Sequence, residues 1–265
     1  MCFTVALVRN NKLITAERYY NEAPLKGIIK PKDDIIFRTD KQLFGETQAQ
    51  HSSEFPEYYF VSGFSHPELP ILKADGIYLY QWGLIPSWIK DAQSANEISN
   101  KTLNAVGETV FDKPSFRKCI PSQRCVLGVS GFYEWHDVNG VKYPYFVHAT
   151  ENDIFSIGAI YDTWVDRASG ETRNTFSILT TPSNPLMDKI HNLKKRMPLI
   201  LSPSDEVKWI DPNLKAEQII ELIKPYPEND MTAYTISRAA NNARNNRNVP
   251  EILNRVEYPE LDLVS

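Results

Sequence analysis

Long apolar runs are missing from this 265-residue sequence: no stretch approaches the roughly 20 consecutive apolar residues of a membrane-spanning helix. The N-terminus lacks a basic start followed by an apolar run and a cleavage site, so no secretory signal is expected. Cysteine is scarce. Cys2, Cys119 and Cys125 make an odd count without a Cys-x-x-Cys pair, which argues against a disulfide framework and a zinc knuckle. A reducing, cytoplasmic setting is expected, with no metal and no cofactor. Glycine is sparse, at 11 residues, and the 18 prolines are scattered rather than gathered into a hinge. With no internal repeat or low-complexity linker, one domain over residues 1–265 is expected, long enough to bury a core unaided. A global positive field is also missing: the formal net charge is −4, so any nucleic-acid contact must be local. Local basic clusters occur at Arg117, Lys118 and Arg124, at Lys194, Lys195 and Arg196, and at Arg238, Arg244 and Arg247.

What is present is a series of short β-type runs: Phe3 to Val8, Tyr58 to Ser62, Ile77 to Trp82, Cys125 to Val129, Tyr143 to His148, Ile154 to Ile160, Phe176 to Thr180 and Thr232 to Ile236. They lie too close together for alternating βα units. Asn139-Gly140 is a strong hairpin signal, because both residues tolerate positive φ. Ser202-Pro203-Ser204-Asp205 reads as a helix start, and Leu214 to Ile223 has helical apolar spacing. A helix is also expected around Val110 to Phe116. The expected class is α+β, with a mainly antiparallel, barrel-like sheet and peripheral helices.

Cys2 has a chemical option that no internal cysteine has. Removal of Met1 would leave an α-amine and a thiol on one residue, a 1,2-aminothiol. The amine, with a reference pKa of about 7.7 to 8.0, can condense with an aldehyde to a Schiff base. The thiol can then close a five-membered thiazolidine in an intramolecular step of high effective concentration. Such chemistry needs a proton shuttle to expel water. In Val129-Ser130-Gly131-Phe132-Tyr133-Glu134-Trp135, period-two alternation puts Glu134 on one strand face with Phe132, and low polarity there would raise its pKa toward that task. Asn104, in Asn104-Ala105-Val106-Gly107-Glu108-Thr109, can hold an amine or sugar by hydrogen bonds, or be merely a turn residue. His191, ahead of Lys194-Lys195-Arg196-Met197-Pro198, can transfer protons, and Arg196 can meet a phosphate or carboxylate. Trp82-Gly83-Leu84-Ile85-Pro86-Ser87-Trp88 is core by default. Its aromatics could also stack or wedge against bases of a single strand.

Met-Cys at the start, Trp-Gly-Leu-Ile-Pro, Asn-Ala-x-x-Glu-Thr, Gly-Phe-Tyr-Glu-Trp and His followed by Arg-Met-Pro together resemble the SOS-response-associated peptidase family. The ordered set runs from Cys2 to Pro198. The resemblance implies a protein that removes its own Met1 and crosslinks to the aldehyde of abasic sites in single-stranded DNA. It would shield such sites and be nucleoid-associated when doing so. It further implies Cys2 as nucleophile, Asn104 as positioner, Glu134 as acid/base and His191 as ring-opening or reversal catalyst, with Trp82, Pro86, Trp88 and Arg196 as DNA contacts. The chain departs from the pattern at Phe3-Thr4, where Gly-Arg is usual, and at Val106, where Arg is usual. Residues Asn192 to Lys195 also expand the usual His-Asp-Arg-Met-Pro. Two other readings use the same residues: an N-terminal-nucleophile cysteine peptidase or amidohydrolase, and a noncatalytic nucleic-acid-binding barrel. A monomer is the default.

Overall fold

The computed structural model describes residues 2–7, 58–150 and 154–261, together with the backbone of 37–38. Met1 and Val8, on which two of the expectations above bear, lie outside them. The strands are β1 Thr4–Leu7, β2 Phe37–Arg38, β3 Tyr58–Ser62, β4 Glu68–Lys73, β5 Gly76–Trp82, β6 Asn104–Val106 and β7 Arg124–Val129. They continue with β8 Gly131–Val138, β9 Val141–Ala149, β10 Phe155–Val165, β11 Thr172–Pro182, β12 Arg196–Pro198, β13 Ile200–Leu201 and β14 Met231–Thr235. The α-helices among the described residues are α1 Ala92–Ser99, α2 Pro185–Ile190, α3 Pro203–Ile210 and α4 Ala216–Leu222.

Strands β11, β10, β7, β4 and β5 pair in that order, and β5 returns to β11 through Thr175↔Gln81 and Phe176↔Trp82. The ring is closed, which removes its edges. Five strands cannot alternate direction all the way round, so one joint must be parallel. That joint is β5–β11; the other four are antiparallel. A second sheet, ordered β14-β9-β8-β1-β3, lies against the barrel. Period-two alternation divides the barrel side chains. Leu69, Ile71, Leu127, Ile157 and Phe176 join a core with Val5, Phe132 and Val147 of the second sheet. Leu72, Val126, Ile160 and Leu179 instead pack with Val207 and Trp209 of α3 and Ile219 of α4.

The α+β class and barrel-like sheet agree with the sequence reading. Asn139 (φ 52°) and Gly140 (φ 86°) make the two-residue turn between β8 and β9. Ser202 caps α3 by accepting from the Asp205 amide, with Pro203 in the first turn. The expected helix over Val110 to Phe116 does not form. After a 3-10 turn at Gly107–Thr109 the chain makes isolated turns, such as Lys113 N to Thr109 O at 3.0 Å. Pro114 lacks an amide hydrogen and disfavours helical backbone at Lys113.

Two residues tie the sheets and helices together. A Cβ on Gly131 would lie 2.4 Å from Phe146 Cζ and 2.5 Å from the Val147 carbonyl oxygen. Gly131→Ala is therefore expected to cost about 2 kcal/mol by overpacking, lowering the thermal midpoint by about 4–8 °C. Arg124, which the sequence grouped with surface cations, is instead buried. Its Nε donates to Trp209 O and its Nη1 to Ile120 O, both at 2.7 Å, while Nη2 reaches Asp211 O. It thus fastens the end of α3 to the turns before β7, and burial lowers its pKa to about 10. Arg124→Met would orphan these carbonyls and is expected to cost about 3 kcal/mol, read as an earlier denaturation midpoint.

Candidate active site

Strand β1 pairs with β8 through Val5↔Phe132 and Ala6↔Gly131. Two residues further along that register, Phe3 stands opposite Glu134. Phe132 and Glu134 share a face, as the alternation requires. Tyr133 points the other way, against Phe60 and Phe146 at ring separations of 4.7 and 5.1 Å. The aromatics around Glu134 are thus divided between two faces, and its carboxyl is buried on the inner one. Cys2, just ahead of β1, is also buried, with Sγ 3.6 Å from Thr4 O. Burial pushes its thiol pKa up, and the nearby Glu134 charge raises it further.

Helix α2 brings the third group. Asn184 caps it by accepting from Met187 N, Pro185 opens it, and His191 ends it. Polar contacts dock this segment on β8. The His136 ring Nδ1 lies 2.7 Å from Lys189 O, and Asn192 accepts from Asp137 N at 3.1 Å while donating to Asp137 O at 2.8 Å. His191 Nδ1 consequently lies 3.7 Å from Glu134 Oε2. The same nitrogen is 2.9 Å from Arg196 O, which can only accept, so Nδ1 carries the proton and Nε2 is the basic nitrogen. Burial raises the Glu134 pKa to about 7 and lowers that of His191 to about 4. Their contact at neutral pH joins an uncharged imidazole to a carboxyl near its midpoint, rather than forming an ion pair.

Glu134 and His191 line a groove of about 370 Å³ whose walls include Phe3, Trp135, Leu193, Lys142, Lys194 and Arg247. The cations come from distant parts of the sequence. Lys142 follows the hairpin turn, Lys194 lies in the turn after α2, and Arg247 lies on a loop anchored to β3, where Asn248 Oδ1 accepts from Tyr59 N at 2.8 Å. Arg247 and Lys194 belong to basic clusters visible in the sequence; Lys142 and Phe3 carried no signal beyond their neighbours.

Asn104 lies on β6, beside β11 through Ile178↔Asn104. It is 9% exposed, and neither atom of its side-chain amide has a hydrogen-bond partner among the described residues. A buried amide so left is costly unless a ligand or water completes it. The preceding residue, Leu103, packs in the same core as Cys2.

The expanded segment Asn192 to Lys195 is taken up as a turn, with Lys195 at φ 49°, and Arg196 is returned to β12 opposite Pro182. There its guanidinium clasps both oxygens of Glu108, one at 2.8 Å, and Thr180 O at 2.8 Å. The acid of Asn-Ala-x-x-Glu-Thr therefore pairs with the arginine of Arg-Met-Pro, a link the sequence reading missed. Two proposed DNA contacts need correction. Trp82 is wholly buried, its indole N–H donating to Leu103 O at 2.8 Å, and Pro86 is buried as well, so neither presents a face to a base. Trp88 is 44% exposed, with its indole 3.4 Å from Pro114 O, and does not line the groove. Among the described residues no group of three His, Cys, Asp or Glu is placed to hold a metal ion, and no helix is long and apolar enough to cross a membrane.

A family model described as SOS response associated peptidase (SRAP) matches residues 1–243. The abasic site processing protein YoqW of Bacillus subtilis (strain 168) is 37% identical over 175 residues, covering 65% of this chain and 74% of YoqW. The abasic site processing protein HMCES of Xenopus tropicalis is 30% identical over 186 residues, covering 63% of this chain and 54% of HMCES. A crystal structure of a Bacteroides thetaiotaomicron protein is similar with a TM-score of 0.79 and 33% identity, covering 97% of this chain and all of the other.

Proposed function

The chain belongs to the SOS response associated peptidase family, and we propose that it processes abasic sites in DNA through a covalent bond to Cys2. The observation that carries this reading is the seating of Cys2 beside Glu134, with His191 3.7 Å from that carboxyl on a groove walled by Lys142, Lys194 and Arg247.

Removal of Met1 by the protein itself places an α-amine on Cys2, next to Glu134. Neutral His191 takes a proton from the anomeric hydroxyl of the abasic sugar as Glu134 protonates the ring oxygen, opening the aldehyde. After the two groups recover their resting protonation, the amine adds to the aldehyde carbon. Glu134 then protonates the carbinolamine hydroxyl, which leaves as water. The thiol, kept protonated by burial, gives its proton to the Glu134 carboxylate as sulfur bonds to the imine carbon. Aldehyde and aminothiol thus become thiazolidine and one water, and Glu134 ends as it began. Asn104, whose amide lacks a protein partner, would hold the open sugar or the amine.

Single-stranded DNA is the proposed substrate, since the reacting sugar must reach a buried cysteine. The phosphates would be met by Lys142, Lys194 and Arg247 in place of arginines at positions 4 and 106. Arg196 is already held by Glu108. The test mixes mature protein with a single-stranded oligonucleotide bearing one abasic site, without reductant, followed by denaturing mass analysis. A shift equal to the oligonucleotide less one water is expected. Absence of any adduct, together with hydrolysis of an amide or ester, would establish the N-terminal-nucleophile hydrolase instead.

A further inference from the structure

We propose that Phe3 and Phe64 form a stacking platform for the base that flanks the abasic position, an inference that rests on the reading above. Phe3 lines the groove that holds Glu134 and His191, and it directly follows the nucleophile. Its ring packs on Phe64 at a centroid separation of 4.9 Å and an interplanar angle of 40°. Phe64 is 58% exposed, an unusual position for a phenyl ring in a short structured turn. The turn itself is built. Gly63 N donates to Phe3 O at 2.8 Å, and Ser62 Oγ caps Phe64 N. A Cβ on Gly63 would lie 3.0 Å from the Trp82 ring, so buried Trp82 supports the turn from beneath.

The occupant follows from charge and position. A ring pair continuous with a groove carrying Lys142, Lys194 and Arg247 suits a ligand with both a flat apolar face and anionic links, and a nucleotide has both. An abasic nucleotide has no base of its own to stack, so the neighbouring base must supply that contact. The departure at positions 3 and 4 gains a physical sense here. Thr4 is buried opposite Ser62 and cannot reach phosphate, whereas Phe3 offers a sequence-tolerant contact that is less sensitive to salt.

The test measures both noncovalent affinity and adduct rate. Single-stranded oligonucleotides carry a stable abasic analogue for binding, or a true abasic site for reaction. The flanking nucleotides are adenine, thymine or base-free spacers. Wild type is expected to bind the adenine-flanked analogue about tenfold more tightly than the spacer-flanked one. Phe64→Ala should reduce that preference to less than about twofold, Phe64→Trp should keep it, and both should melt like wild type. Equal affinity for all flanks in wild type, or an undiminished preference in Phe64→Ala, would overturn the platform. A flank preference without any adduct from the true abasic site would leave the platform standing and remove the crosslinking reading.

Discussion

Cys2→Ala is expected to form no denaturant-resistant adduct with abasic single-stranded DNA, under conditions where wild type is mostly converted. Alanine removes sulfur but leaves the α-amine, so a Schiff base can still form and reverse. Without the thiol no ring closes, and hydrolysis returns the aldehyde. Borohydride separates the two stages: it should trap the alanine variant as a stable secondary amine, while adding nothing to wild type. Because Sγ touches only Thr4 O among the hydrogen-bond partners described, the variant should keep its noncovalent affinity for the same oligonucleotide. A stable adduct of Cys2→Ala without borohydride would refute the thiazolidine. Failure of borohydride to trap anything would instead remove the amine from the mechanism.

Glu134→Gln is expected to slow adduct formation by about 10²- to 10⁴-fold, the usual contribution of a positioned acid or base. Its pH profile should change with it. In wild type the acid form of Glu134 exists below about pH 7 and is lost above, while His191 is neutral above about pH 4 and charged below. The rate should therefore be bell-shaped, with the acidic limb steepened by protonation of the Cys2 amine. In Glu134→Gln the alkaline fall tied to the carboxyl should vanish. Stability should move oppositely. The folded-state pKa of Glu134 is raised, so its contribution is fully present below the unfolded value and is lost as pH rises through about 7. At pH 8 glutamine carries no such charge, and the variant should melt later than wild type. A variant both slow and less stable at pH 8 would show that Glu134 acts as a structural anchor.

The strands were legible because alternation and turn chemistry are local. Asn139-Gly140 needs only its own φ values, and Ser202-Pro203 only its own helix end. Strand β4 was missed because Pro70 interrupts a short apolar run, although Leu69 and Ile71 both face the core. The segment after Gly107 misled for the converse reason, its apolar spacing yielding to Pro114. Trp82 and Pro86 illustrate a further limit: an aromatic or proline in a turn reads alike whether it faces solvent or core.

By itself the sequence determined the chemical inventory: an aminothiol available at Cys2, a carboxyl on the inner face of a strand at Glu134, and a lone histidine at the end of a short helix. The absence of arginine at positions 4 and 106 was equally plain. Only the tertiary structure decided which of these groups meet. The docking of α2 on β8 through Asn192 and His136 places His191 at Glu134, and pairing of β1 with β8 sets Phe3 and Cys2 beside it. It also decided that Arg124 is buried and that Arg196 is held by Glu108. The physical reason is range. Alternation, caps and turns act over a few residues, whereas pKa, burial and groove shape are set by side chains that the strand pairings bring together from more than a hundred positions apart.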